Sequence, residues 1–153
     1  MAAVRQANEQ DAVQVHRLIE MLEKPQKFPF EPFRRNYLKN LADPDIAYLV
    51  AEEGGATVAF GSLQFSAPLH HLQPVAETVE LVVDEACRGG GVGAAMVDAM
   101  AALARTRGCC SLELSTNRLR RRAHRFYFKN GFLLTHYRLT MGLTNSSRGE
   151  PQW

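Results

Sequence analysis

Scarcity is informative in this 153-residue chain. There are three cysteines, and two of them, Cys109 and Cys110, are adjacent. An odd, crowded set is not a disulfide framework, and it points to a reducing cytoplasm. No apolar run approaches the ~20 residues of a membrane-spanning helix, and Asp98 interrupts the most apolar helical stretch. The first residues, Met1-Ala-Ala-Val-Arg-Gln6, lack the apolar centre of a secretory signal. A formal net charge of +2 is too small to argue for nucleic acid. The arginine cluster at 118, 120, 121, 122 and 125 lacks the interleaved aromatics on which bases stack. Repeats, linkers and low-complexity tracts are missing too. What remains, at 46% hydrophobic, fits one globular domain over residues 1–143, with a pattern-free tail at 144–153.

The stretch that stands out is Cys87-Arg-Gly-Gly-Gly-Val-Gly-Ala94. It follows an apolar strand pattern ending at Val83 and precedes a helical pattern over Ala95 to Arg107. Glycines at a strand-to-helix junction let an anion approach the backbone, and a helix start offers N–H groups and a favourable dipole. Arg88 adds a fixed positive charge, so the stretch reads as a pyrophosphate cradle. A P-loop would need Lys-Ser/Thr after its last glycine, but Ala94 and Ala95 follow Gly93. The dinucleotide fingerprint needs a different glycine spacing and a second nucleotide half. A glycine-rich turn without a ligand is the bland alternative. Cys87, beside Arg88 and a helix start, is either a catalytic thiol or a small residue filling the turn.

Taken in order, Ala3 to Gln6 is a strand. Asn8 is an N-cap for a helix over Glu9 to Glu23, with Val13, Val15, Leu18, Ile19 and Leu22 in its apolar stripe. A proline-containing loop carries Lys24 and Lys27, and a second helix covers Glu31 to Leu41. Ile46 to Glu52 and Thr57 to Ser66 form a hairpin around Gly54-Gly55. In its second strand the apolar parity slips at Gly61-Ser62, the mark of a bulge or bend. A loop at Ala67 to Pro74 holds His70 and His71, and Glu77 to Val83 is a central strand. Met96, Met100 and Leu103 make a core stripe on the helix after the glycines. Ser111 to Ser115 is a strand. Thr116-Asn117 caps a helix reaching about Asn130, with Leu119, Ala123 and Phe126 facing inward, and Phe132 to Thr140 returns as a strand or hairpin. This order predicts an α+β domain with a mixed sheet flanked by helices.

Arg88-Gly-Gly-Gly-Val-Gly93 matches the pattern Arg/Gln-x-x-Gly-x-Gly/Ala. Ala123-His-Arg-Phe-Tyr-Phe-Lys-Asn-Gly-Phe132 matches Ala-x-x-Phe-Tyr-x-x-x-Gly-Phe. Together, in this order, they resemble the two signatures of the GCN5-related N-acetyltransferases. The resemblance implies the acyl-CoA N-acyltransferase fold and acetyl-CoA as cosubstrate. It implies cofactor contacts from Leu81, Val82 and Val83 on the strand and from Arg88, Gly89, Gly90, Gly91, Val92, Gly93 and Ala94 in the loop. Asn117 is a further contact or simply an N-cap. Tyr127 is implied as the general acid at the departing sulfur, and a homodimer is one arrangement it allows.

Acetyl transfer also needs a base for the amine. Glu77 and Glu80 stand ahead of the apolar end of the central strand. On an ideal strand they face opposite sides, so one enters a cleft unless a bulge intervenes. Glu77 is favoured from its distance to the loop arginine in the family. Within that family the chain looks most like aminoalkylphosphonate N-acetyltransferases, on Leu63-Gln-Phe65, Leu69-His-His71, Glu77, Glu80-Leu-Val-Val83 and Glu113-Leu-Ser-Thr-Asn117. That group implies a small anionic amine as acceptor, with Lys24, Lys27, His70 and His71 as candidate contacts. It also raises a divalent metal held partly by His70 or His71. Amino-sugar phosphate acetyltransferases share the Cys87-Arg88 start and are the enzymatic rival. A non-catalytic acyl-CoA-binding module is the rival from another class, and Glu77 and Tyr127 argue against it.

Overall fold

The computed structural model describes residues 2–22 and 27–144, which fall into two compact units divided between Leu114 and Ser115. In the first unit, β1 (Ala3–Gln6), β2 (Ile46–Glu53), β3 (Ala56–Ser66), β4 (Val75–Val83) and β5 (Ser111–Leu114) lie side by side in chain order. The first four are antiparallel neighbours. β5 runs parallel to β4, because α3 (Val92–Thr106) carries the chain back between them. α1 (Ala12–Leu22) and α2 (Phe30–Leu41) pack on the opposite face. Among the described residues no helix is long and apolar enough to cross a membrane.

Strand alternation divides the core in two. Leu49, Ala51, Ala59, Leu63, Phe65 and Ala76 meet Val92, Met96, Met100 and Ala104 of α3. Val50, Phe60 and Val82 meet Val15 and Leu18 of α1 and Tyr37 of α2. Burying a side chain such as Leu18 contributes roughly 1.5–3 kcal/mol. Gly61 explains how closely α3 lies on β3: a Cβ there would sit 3.0 Å from both Met100 Sδ and Met96 Cε.

The parity slip read at Gly61-Ser62 is a bulge. Ser62 pairs with Glu80 and Leu63 with Thr78, so Val79 is the extra residue, and it is half exposed. Gln64 pairs with Glu77. Ser62 and Gln64 are two apart on β3 and share a face, so Glu77 and Glu80 share it as well. It is the face of Phe60 and Val82, toward α1 and α2.

The N-cap at Asn8 is present: its side chain accepts Gln10 N–H at 2.8 Å, and Asp11 accepts the Asn8 N–H at 2.8 Å. The cap opens a single 3₁₀ turn, Glu9–Asp11, before α1. Arg5 donates twice to Asp11, at 2.8 Å each, and once to Glu52 at 2.6 Å, which ties β1 to β2 and to the helix start. The Arg5 guanidinium holds the Asp11 carboxyl below the usual range.

Several expectations differ from the structure. Val13, expected in the apolar stripe of α1, is exposed, because the buried side of that helix runs through Ala12, Val15 and Leu18. α3 begins at Val92 rather than Ala95, so part of the glycine stretch is its first turn. In the second unit, α4 spans Arg121–Lys129 with Arg120 as its N-cap residue, and Asn117 closes a separate turn before it. Leu119 lies in that turn and is exposed instead of facing inward. Residues 132–140 form no strand. Leu133, Tyr137, Leu139 and Met141 are all exposed. Alternation supplies a strand's two faces but not the neighbour whose ladder holds it.

Candidate active site

The glycine loop is built from its first residue. Asp84 N–H donates to Val58 O at 2.8 Å, which fixes the end of β4. The Asp84 carboxylate accepts Ala86 N–H at 3.0 Å and Arg17 Nη1 at 2.7 Å. Arg17 also donates to Thr57 O at 3.0 Å. The Arg17 hydrogen bond, then that of Ala86, holds the Asp84 carboxyl below its ordinary value. One 3₁₀ turn, Glu85–Cys87, follows, closed by Cys87 N–H to Asp84 O at 2.8 Å. The chain then passes Gly89 and Gly91 at φ +83° and +84°, a left-handed conformation that side chains resist. Gly91 is the N-cap of α3 and brings no side chain to its first turn. A Cβ at Gly89 or Gly91 would meet nothing within 4 Å, so the loop faces open space. Arg88 is exposed beside it. An uncapped N-terminus of a fifteen-residue helix suits an anion.

Toward this loop β4 has no strand partner on its β5 side among the described residues. Its ladder with β5 covers only Val75 to Thr78, while its ladder with β3 continues to Val83. Alternate residues along Leu81 to Val83 therefore turn backbone groups to the β5 side, where an extended ligand chain could meet them.

On the face shared by Glu77 and Glu80 lies a cleft of about 420 Å³ between α1, α2 and the sheet. Its walls are Ile19, Leu22, Phe28, Phe33, Tyr37 and Phe60, with Asn36, Asn40, Tyr48 and Glu80 as polar groups. The aromatics are in register: Tyr37 stacks on Phe33 and on Tyr48, and Tyr48 meets Phe60 edge to face at 5.2 Å. Asn40 donates to Tyr48 Oη at 2.8 Å. Burial, with the Glu80 charge adding to it, pushes the Tyr48 hydroxyl upward, so it stays protonated. Ser62, itself buried, donates its hydroxyl to Glu80 and accepts the Glu80 N–H at 3.0 Å. Glu80 is thus fixed in direction and lines the cleft. The lining holds no lysine, arginine or histidine among the described residues.

The other candidates are distributed. Glu77 shares the Glu80 face but lies outside the cleft lining, opposite Glu113 of β5. Lys24 falls outside the described residues. Lys27 is exposed, with Nζ 3.7 Å from Glu20. His70 and His71 are exposed, with ring centroids 4.4 Å apart. No group of three or more His, Cys, Asp or Glu among the described residues is placed to hold a metal, so this pair does not make a closed metal site by itself.

In the second unit, Tyr127 is buried and meets Phe126 and Phe132 edge to face, at 5.4 and 5.6 Å. Burial pushes its hydroxyl upward. Asn117 accepts Leu119 N–H at 2.9 Å, and its carbonyl is 2.8 Å from His124 Nε2. Arg17, Asp84, Asn40 and Tyr48 were not singled out in the sequence, and Ser62 was marked only by the parity slip. Arg17 and Asp84 meet across 67 positions and Ser62 and Glu80 across 18.

Comparison with known proteins gives one consistent picture. The model of the acetyltransferase (GNAT) family matches residues 14–132. The chain is 36% identical over 141 residues, 92% of its length and 90% of the relative's, to the aminoalkylphosphonate N-acetyltransferase of Salmonella typhimurium. Among solved structures, a transcriptional regulator from Bacillus halodurans aligns with TM-score 0.84 and 26% identity, over 94% of this chain and all of that one. A glucosamine-6-phosphate N-acetyltransferase from Arabidopsis thaliana aligns with TM-score 0.80 and 20% identity, over 94% and 99% of the two chains, a likeness of fold alone.

Proposed function

This chain belongs to the acetyltransferase (GNAT) family, and from that premise we propose that it moves the acetyl group of acetyl-CoA to the primary amine of a small aminoalkylphosphonate. The observation that carries the reading is continuity. An open strand edge at Leu81 to Val83 runs into an uncapped, glycine-lined helix start, and Glu80 faces a cleft beside that edge.

Acetyl-CoA supplies a thioester whose carbonyl carbon bonds to the amine nitrogen as its C–S bond breaks. Arg88 and the Gly89 to Gly93 backbone would bind the pyrophosphate, and Asn117 is a further candidate contact. Glu80, held by Ser62, would take the proton that the amine loses, directly or through one water. Its place in the cleft favours it over Glu77, which stays the second candidate on the same face. Tyr127, assigned from the motif it occupies, would protonate the departing thiolate. Residues 1–143 are read as one acetyltransferase domain.

The phosphonate rests on the 36% identical relative. Lys24, Lys27, His70 and His71 are the candidates for its anionic end. A thiol-release assay over an amine panel tests the whole reading. Aminoalkylphosphonates should exceed matched neutral amines in kcat/KM by roughly 10–150-fold, the worth of a charge-assisted hydrogen bond. Preference for polyamines or protein lysines would remove the phosphonate and leave acetyl transfer.

A further inference from the structure

The cleft at Glu80 carries more information than the need for a base explains. A carboxylate held by a serine would serve at a shallow, polar surface. Here it stands among Phe33, Tyr37, Tyr48 and Phe60 in a space of about 420 Å³. An apolar cavity of about 150 Å³ already admits benzene. The space therefore holds a ring with room for the amine that carries it. Its polar groups are few and separate: Asn36, the Asn40–Tyr48 pair, and Glu80, the single charge in the described lining. Such a lining favours an ammonium against the carboxylate and aromatic faces, and an apolar body behind it. Its described residues offer nothing cationic to an anion, so an anionic group of the acceptor is better placed outside this lining.

We propose that the cleft binds a ring-sized apolar substituent on an acceptor chain whose ammonium meets Glu80, so that the preferred acceptors are arylalkyl-bearing primary amines. This rests on the acetyltransferase reading and adds the part of the acceptor which that reading leaves unspecified. The ring packs on Phe33 and Ile19, and an anionic group, where present, projects outward past the ammonium.

Four acceptors separate the two ideas: 1-aminoethylphosphonate, 1-amino-2-phenylethylphosphonate, ethylamine and 2-phenylethylamine, each with acetyl-CoA and the full chain. The phenyl group should raise kcat/KM by about 10–100-fold within both pairs, the worth of burying one large apolar side chain. A phosphonate effect without a phenyl effect would overturn the cleft assignment and keep the phosphonate. A phenyl effect without a phosphonate effect would do the reverse. If none of the four is acetylated, calorimetry decides. 2-Phenylethylamine must then bind at least tenfold tighter than ethylamine, and equal binding overturns the proposal. Asn36→Trp fills the cleft from an exposed position on α2, where folding is little affected. It should reduce the phenyl-to-methyl ratio at least tenfold. A folded variant with the ratio unchanged would place the ring elsewhere.

Discussion

Arg17→Met keeps an unbranched apolar stem and removes the guanidinium. Two contacts vanish, the 2.7 Å pair with Asp84 and the 3.0 Å hydrogen bond to Thr57 O. The Arg17 side chain is 39% exposed and that of Asp84 18%. The pair therefore ranks between an exposed ion pair, at ~0–1 kcal/mol, and a hydrogen bond to a charged group, at ~1.5–3 kcal/mol. About 1 kcal/mol is expected, or roughly 2–4 °C in Tm for a chain of this size. The pH dependence gives the sign. Asp84 is depressed in the folded state, first by Arg17. A depressed carboxylate adds stability above its unfolded value of about 3.9 and loses it as pH falls through the folded value. The gap between wild type and variant should be full at neutral pH and shrink below about pH 4. Asp84 also anchors the turn that opens the glycine loop. KM for acetyl-CoA should accordingly rise more than KM for the amine. Thermal melts at pH 7 and pH 3.5, with steady-state kinetics varying each substrate, measure both effects. A melting gap that is the same at both pH values would refute the electrostatic account and leave only packing. Equal rises in the two KM values would refute the link to the loop.

Glu80→Gln should lower kcat/KM and flatten the acidic limb of its pH profile more than Glu77→Gln does; the opposite order would return the base to Glu77. Tyr127→Phe keeps the ring packed on Phe126 and Phe132, and kcat should fall ~10²–10⁴-fold with little change in acetyl-CoA affinity. A loss within about twofold, with thiolate release rate-limiting, would leave Tyr127 a packing residue. Gly91→Ala puts a side chain at φ +84° and should cost roughly 1–2 kcal/mol along with acetyl-CoA binding. Gly90→Ala, whose Cβ would lie at an ordinary 3.6 Å from Cys87 O, should keep its stability, and calorimetry on both variants compares them.

Much of this architecture was legible locally. Every strand of the sheet, the cap at Asn8 and the methionine stripe of α3 follow from periodicity and turn chemistry, because each depends on residues a few positions apart. The glycine loop was legible for the same reason. Long-range pairing was not. Arg17 reaches Asp84 across 67 positions and Asn40 meets Tyr48 through folding alone, and no spacing marks either. The missing strand after Gly131 is the converse case. Thr135 to Leu143 alternate correctly, but pattern cannot supply a partner.

The bulge joins the two kinds of information. Two carboxylates three positions apart cannot share a face of a regular strand. Without the slip at Val79, the register that sends Glu80 to the cleft would turn Glu77 toward Met96 and Met100 in the α3 core. An unpaired carboxylate there would cost several kcal/mol, or stay protonated. One extra residue removes that conflict. Ala76 and Thr78 keep the face of Leu63 before the bulge, and Leu81 and Val83 keep it after. The cost falls on Val79, left half exposed without a ladder partner on either side. The α3 core thus stays free of charge along the whole of β4, with Thr78 its one polar side chain from this strand, and both carboxylates stand on the face that carries the cleft.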